Sequence, residues 1–89
     1  MTEKEIVTRN LVLSSEFDRY IFEHPDIAEN IPLGAQIVFL PENDDELCQI
    51  NKRLAEEQRE GGQAVVFVHI GKMAPTVSRL IEVKLEKVA

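Results

Sequence analysis

The amino-acid sequence predicts a small α/β domain in which an N-terminal helix, or a helix pair, precedes a β-α-β-β unit. Three observations predict this fold class. Two near-continuous apolar runs have the length of buried strands, an amphipathic stretch separates them, and the chain ends in a segment where apolar and charged residues alternate. We therefore expect one domain over residues 1–89, with a helical segment at 1–31, a parallel βαβ unit at 35–70 and a final strand at 79–88. The sheet is expected to be three-stranded and mixed.

The N-terminal segment has the apolar spacing of a helix. Residues at three- and four-residue intervals are mostly apolar: Ile6, Asn10, Leu13, Phe17, Tyr20 and Ile21. A break near Ser14 would give two helices instead of one, since Ser15 and Asp18 have the spacing of a capping pair. The segment should end at His24, because the residue that precedes a proline, here Pro25, is disfavoured in the α conformation.

The centre of the chain has the pattern of a βαβ unit. Residues 35–40 and 63–70 are near-continuous apolar runs, which is typical of strands that are buried on both faces and pair in parallel. Between them, Asn43 and Glu46 have the spacing of a capping box at the start of a helix that runs to Glu60. Its buried stripe would consist of Leu47, Ile50, Leu54 and Ala55.

The C-terminal segment alternates with a period of two. Ile81, Val83 and Leu85 alternate with Glu82, Lys84 and Glu86, which predicts a strand with one solvent-facing side. A helix fits the same residues less well. The sequence leaves open whether the helices cover one face of the sheet or both, and a bare apolar face would require a second copy of the chain.

Composition restricts the classes of partner. The net charge is −6, and the basic residues are interspersed with acidic ones instead of forming a basic stripe. Both features argue against nucleic-acid binding. A single cysteine, Cys48, cannot form an internal disulfide. The first residues lack an apolar signal core, and no apolar run approaches the roughly 20 residues of a membrane helix. We expect a cytoplasmic protein with no membrane partner.

Several stretches of caps, turns and core have a pattern that is found in a known family. They are residues 10–14 with Glu16 and Phe17, His24-Pro25, residues 37–42, residues 45–47, Asn51 with Leu54 and Ala55, and Gly62 before Val65 and Val66. In these stretches the chain resembles a family of short bacterial and archaeal proteins of unknown function. The resemblance implies a prokaryotic cytosolic protein, and it implies no activity, cofactor or catalytic residue.

The candidate ligand site lies where the two parallel strands end. Glu42, Asp44 and Asp45 follow the first strand, and His69 and Lys72 lie at the end of the second. Such carboxylates could hold Mg²⁺ while the lysine contacts a phosphate. Acids at a helix start are also common as caps, and this structural role is the first interpretation of the cluster. The histidines and Cys48 match no zinc pattern, so no metal ligand, cofactor or catalytic residue is predicted.

Three functions follow from these observations, in order of preference. The first is a non-catalytic, self-associating interaction or accessory module, expected to be a homodimer with Tyr20 or Phe22 in its interface. The second is a small metal- or phosphate-dependent enzyme or binder that uses the acidic cluster. The third is an acidic, antitoxin-like partner of a basic protein, which depends only on the net charge of −6.

Overall fold

A computed structural model describes all 89 residues, and it begins with one long helix. Helix α1 spans Glu3–Glu23 without a break, so the N-terminal segment is one helix rather than two. The side chain of Thr2 caps it by accepting a hydrogen bond from the backbone N–H of Glu5 at 3.1 Å. A short helix, α2, follows at Pro25–Ala28, and its first residue is the proline that was predicted to end α1.

The predicted parallel βαβ unit is present. Strand β1 spans Gln36–Pro41, helix α3 spans Asp45–Gln58, and strand β2 spans Val65–Ile70. The two strands pair in parallel, in a register that runs from Gln36 opposite Val65 to Pro41 opposite Ile70. Continuous apolar runs on both sides of an amphipathic helix therefore predicted this part of the fold correctly.

The predicted three-stranded mixed sheet is wrong. The sheet contains only β1 and β2, and residues 79–88 form neither a strand nor a helix. Residues 71–89 are here named the C-terminal arm. Its apolar side chains lie in solvent, with Ile81 at 96% and Leu85 at 90% exposure. Alternation marks residues that suit one face of a sheet, but a strand forms only beside a hydrogen-bonded neighbour, and residues 79–88 pair with neither strand of this chain.

The two long helices lie on opposite faces of the sheet. Val38 and Leu40 pack against Ala55 and Cys48 of α3. Phe39, which lies between them in β1, contacts Phe17 of α1 edge to face, with ring centroids 5.7 Å apart. Successive side chains of a strand point to opposite faces, so α3 covers one face and α1 the other.

The core is small for a chain of this length. Seven of the 89 residues are buried, and Leu47 of α3 is the most deeply buried hydrophobic side chain, at 1% exposure. The other buried residues are Leu13, Val38, Leu40, Pro41, Asn51 and Ala55. Each of these side chains therefore carries a large share of the stability, since small domains have only a few kcal/mol in total.

We expect Leu47→Ala to lower the free energy of unfolding by about 2–4 kcal/mol, because it removes apolar contacts and leaves a cavity in the core. Urea denaturation checks the value. Leu33→Ala is the matched control, since Leu33 is fully exposed and should leave the midpoint nearly unchanged. Equal midpoints for both variants would show that α3 does not pack as described.

Candidate functional site

The backbone hydrogen bonds show which groups of each strand face outward. The N–H of Gln36 donates to the carbonyl of Ala64, and the N–H of Glu42 donates to the carbonyl of Ile70. Successive residues of a strand direct their backbone groups to opposite sides. The N–H and carbonyl groups of the even-numbered residues of β1 therefore point to β2, and those of the odd-numbered residues point away from it. The carbonyl of Phe39 therefore lies on the outer edge of β1.

A pair of asparagines covers that outer edge. The Nδ2 of Asn51 in α3 donates to the carbonyl of Phe39 at 2.8 Å and to the Oδ1 of Asn10 at 2.9 Å. The Nδ2 of Asn10 in α1 donates back to the Oδ1 of Asn51 at 2.9 Å. Asn51 is 8% exposed, so these bonds are shielded from water. The pair joins α1, α3 and β1 at one point.

Neither asparagine was predicted to have a role. The sequence did contain a sign of this role, since Asn10 and Asn51 lie at helical spacing among apolar residues. An amide on the apolar face of a helix needs a buried partner. The separation of 41 residues between them hid that the partner of each is the other.

We expect Asn51→Ala to lower the free energy of unfolding by about 1–3 kcal/mol, because it leaves the Asn10 amide and the Phe39 carbonyl without partners. Urea denaturation of both single variants and of the Asn10→Ala, Asn51→Ala double variant measures the coupling between them. Asn30→Ala is the control, since Asn30 is exposed. Additive losses in the double variant would show that the two amides do not act together.

The structure divides the predicted acidic site between two clefts. Glu42, Asp45 and His69 line a cleft of about 380 Å³ on the α3 side of the strand ends, here named the acidic cleft, where Cys48 and Lys52 also lie. Lys72 instead lines a groove between α1, α2 and β2, of about 460 Å³. His69 borders both. The groove also contains Tyr20, which was predicted for an interface, and its other lining residues include Leu13, Phe17, Ile27 and Met73.

Asp44 has a structural role instead of lining either cleft. Its side chain caps α3 by accepting a hydrogen bond from the N–H of Leu47 at 3.2 Å. Its other oxygen accepts from Arg9 of α1 at 2.8 Å. The helix therefore begins one residue later than the predicted cap at Asn43. No three His, Cys, Asp or Glu side chains lie where they could jointly hold a metal ion.

Cys48 lies at the edge of the acidic cleft with its thiol directed to the backbone. The Sγ donates to the carbonyl of Pro41 at 3.1 Å. Burial raises the pKa of the thiol, and the nearby carboxylate of Asp45 raises it further, against an opposing effect of Lys52. A raised pKa leaves little thiolate near neutral pH, so the prediction of Cys48 as a half-buried packing residue agrees with its surroundings.

We expect Cys48 to react with iodoacetamide more slowly in the folded protein than in urea at pH 8, because its raised pKa keeps it protonated. The pH at which the folded protein reaches half its maximal rate should lie above that of the urea-unfolded chain. Asp45→Asn should lower this pH by less than unfolding does, since burial is the larger cause. A folded-state midpoint at or below the unfolded one would contradict this assignment.

Residues 5–83 match one protein family, which is described as a family of unknown function (DUF5647). The match covers most of the chain. The chain belongs to this family. The resemblance to an uncharacterised family that was based on caps, turns and core residues is thereby confirmed. No curated protein and no solved structure matches the chain.

The helices of the chain differ from those that span a bilayer. None of them combines the length and the apolar composition that crossing a membrane requires. The longest, α1, carries charged residues from Glu3 to Glu23.

Proposed function

We propose that this family member is a non-catalytic interaction module that associates with a second copy of itself. The observation that carries the proposal is the exposed area. The chain exposes 7,820 Å², whereas a folded monomer of 10.1 kDa is expected to expose about 5,300 Å². The excess of roughly 2,500 Å² corresponds to the area that one subunit buries in a large homodimer interface.

Much of this exposed surface is apolar. On α1, Val7 is 61%, Leu11 is 65% and Phe22 is 87% exposed. Of the two aromatic residues expected at an interface, Tyr20 is 49% exposed and stacks on His24, with ring centroids 4.1 Å apart. Phe22 has most of its ring in solvent, which favours Phe22 as the interface residue. Large apolar patches on a soluble protein are typical of association surfaces.

The geometry supports phosphate or metal chemistry less well. The predicted ligand residues are divided between two clefts, and Asp44 is engaged by Arg9 and by the start of α3. A phosphate bound at Lys72 would therefore lie in a different cleft from the carboxylates that would hold its metal. Association needs no such convergence, because it depends on area and shape.

We expect light scattering at micromolar concentration to give a mass of about twice the 10.1 kDa of one chain. The unfolding temperature should rise with protein concentration, since association stabilises only the folded chain. A mass of one chain together with a concentration-independent unfolding temperature would refute the proposal.

A pair of neighbouring variants tests the role of α1 in the same measurement. Phe22→Ser should raise the dimer dissociation constant by about tenfold, because it removes an aromatic contact. Glu23→Ser is the matched control on the same turn, and we expect it to leave the constant nearly unchanged. Equal effects of the two variants would place Phe22 outside the interface.

A further inference from the structure

We propose that the C-terminal arm of one chain lies along the outer edge of β2 in a second copy, and that the exchange is reciprocal. The inference rests on the proposed self-association and adds a second pair of contacting surfaces to the α1 surface that carries Phe22. It concerns contacts between chains only, since the sheet within one chain has two strands.

The outer edge of β2 is open. The even-numbered residues of β2 exchange hydrogen bonds with β1, so the N–H and carbonyl groups of Val65, Phe67 and His69 point away from it. No backbone group elsewhere in the chain bonds to these residues. Their side chains lie on the α3 face and are exposed, with Val65 at 36% and Phe67 at 48%. An unpaired, half-apolar edge is a template for another extended segment.

The arm has the properties of such a segment. Its apolar row, Ile81, Val83 and Leu85, is between 65% and 96% exposed, and this row alternates with Glu82 and Lys84. If the arm lay along β2, its backbone would form hydrogen bonds with the open edge, and its apolar row would cover Val65 and Phe67. The charged row would then face solvent, so main-chain bonds give affinity and alternate side chains give specificity.

Charge favours the arm as the occupant. Residues 71–89 contain four basic and two acidic residues, a net charge of +2, whereas residues 1–70 contain six basic and fourteen acidic residues, a net charge of −8. The basic residues of the arm are Lys72, Arg79, Lys84 and Lys87. A basic arm is attracted to the acidic body of a second chain, and this attraction should weaken as salt is added.

The dimensions also fit. Residues 71–78, which connect β2 to the rest of the arm, can span up to about 28 Å. Residues 79–88 have a length of about 33 Å when extended, which exceeds the length of about 20 Å of the six residues of β2. The chain measures 64 Å in its longest dimension and has a radius of gyration of 17.6 Å, against about 12 Å for a compact chain of 89 residues. The arm therefore projects from the body of its own chain.

Reciprocal exchange closes the assembly. Each chain donates one arm and offers one open edge, so two chains satisfy both edges and leave none for a third. A closed two-fold contact is the commonest arrangement of homo-oligomers. The β1 edge does not compete for the arm in the same way, because Asn51 already donates to its Phe39 carbonyl.

Cysteine cross-linking between two different chains tests the pairing directly. Both chains carry Cys48→Ala, which removes the only native cysteine. One carries Phe67→Cys, and the other carries a cysteine in the arm, either in the apolar row (Ile81→Cys, Val83→Cys or Leu85→Cys) or in the charged row (Glu82→Cys or Lys84→Cys). After mixing and oxidation, we expect a covalent heterodimer from at least one apolar-row variant, at several times the yield of either charged-row variant. Equal yields from both rows would overturn the proposed pairing.

Light scattering separates failure of this proposal from failure of the proposed function. The Ile81→Asp, Val83→Asp variant should raise the dimer dissociation constant by at least about a hundredfold, whereas Glu82→Ser, Lys84→Ser should retain the dimer. Because these side chains are exposed in the single chain, the helix content by circular dichroism should not change. If the wild-type chain and the Asp variant both form dimers, the arm exchange is overturned and the proposed self-association remains. A monomeric wild-type chain overturns both.

Discussion

Pairing β1 with β2 uses one edge of each strand and leaves the other edge of each with backbone groups that need partners. The two remaining edges differ in their hydrogen bonding. At β1 the amide of Asn51 donates to the Phe39 carbonyl and connects α1 to the same point through Asn10. At β2 the outward groups of Val65, Phe67 and His69 have no partner in the chain. The molecule thus has a closed side at β1 and an open side at β2.

The closed side depends on polar contacts more than its small core would suggest. The paired amides of Asn10 and Asn51 fix the position of α1 relative to α3, and the ion pair between Arg9 and Asp44, at 2.8 Å, joins α1 to the start of α3. Amide hydrogen bonds are directional, whereas the apolar contacts of α1, which include buried Leu13 and the Phe17–Phe39 pair, fix its orientation less sharply. Asp44 lies next to the acidic cleft, but its contacts with Arg9 and with the start of α3 give it a structural role.

The sequence predicted the parts of the fold that depend on local pattern. Continuous apolar runs predicted β1 and β2, and a single amphipathic stripe predicted α3 with Leu47 buried. The strand at 79–88 was predicted from alternation, and it is absent because pairing depends on a neighbour that lies outside the segment. The sequence also predicted that residues at the two strand ends lie close together. The strand ends do bring Glu42, Asp45 and His69 to one cleft, but the path of the chain after β2 carries Lys72 to another.

The closed side also bears on the order in which the chain folds. Helices α1 and α3 can form from local hydrogen bonds, whereas the pairing of Gln36 with Val65 joins residues 29 positions apart, and the Asn10–Asn51 bonds join residues 41 positions apart. Contacts of long sequence separation form late, since loop-closure entropy must be overcome first. Formation of α3 shortens the effective loop between the strands. We therefore expect the parallel pair to form after α3, and the amide pair to fix α1 only after β1 and β2 have paired.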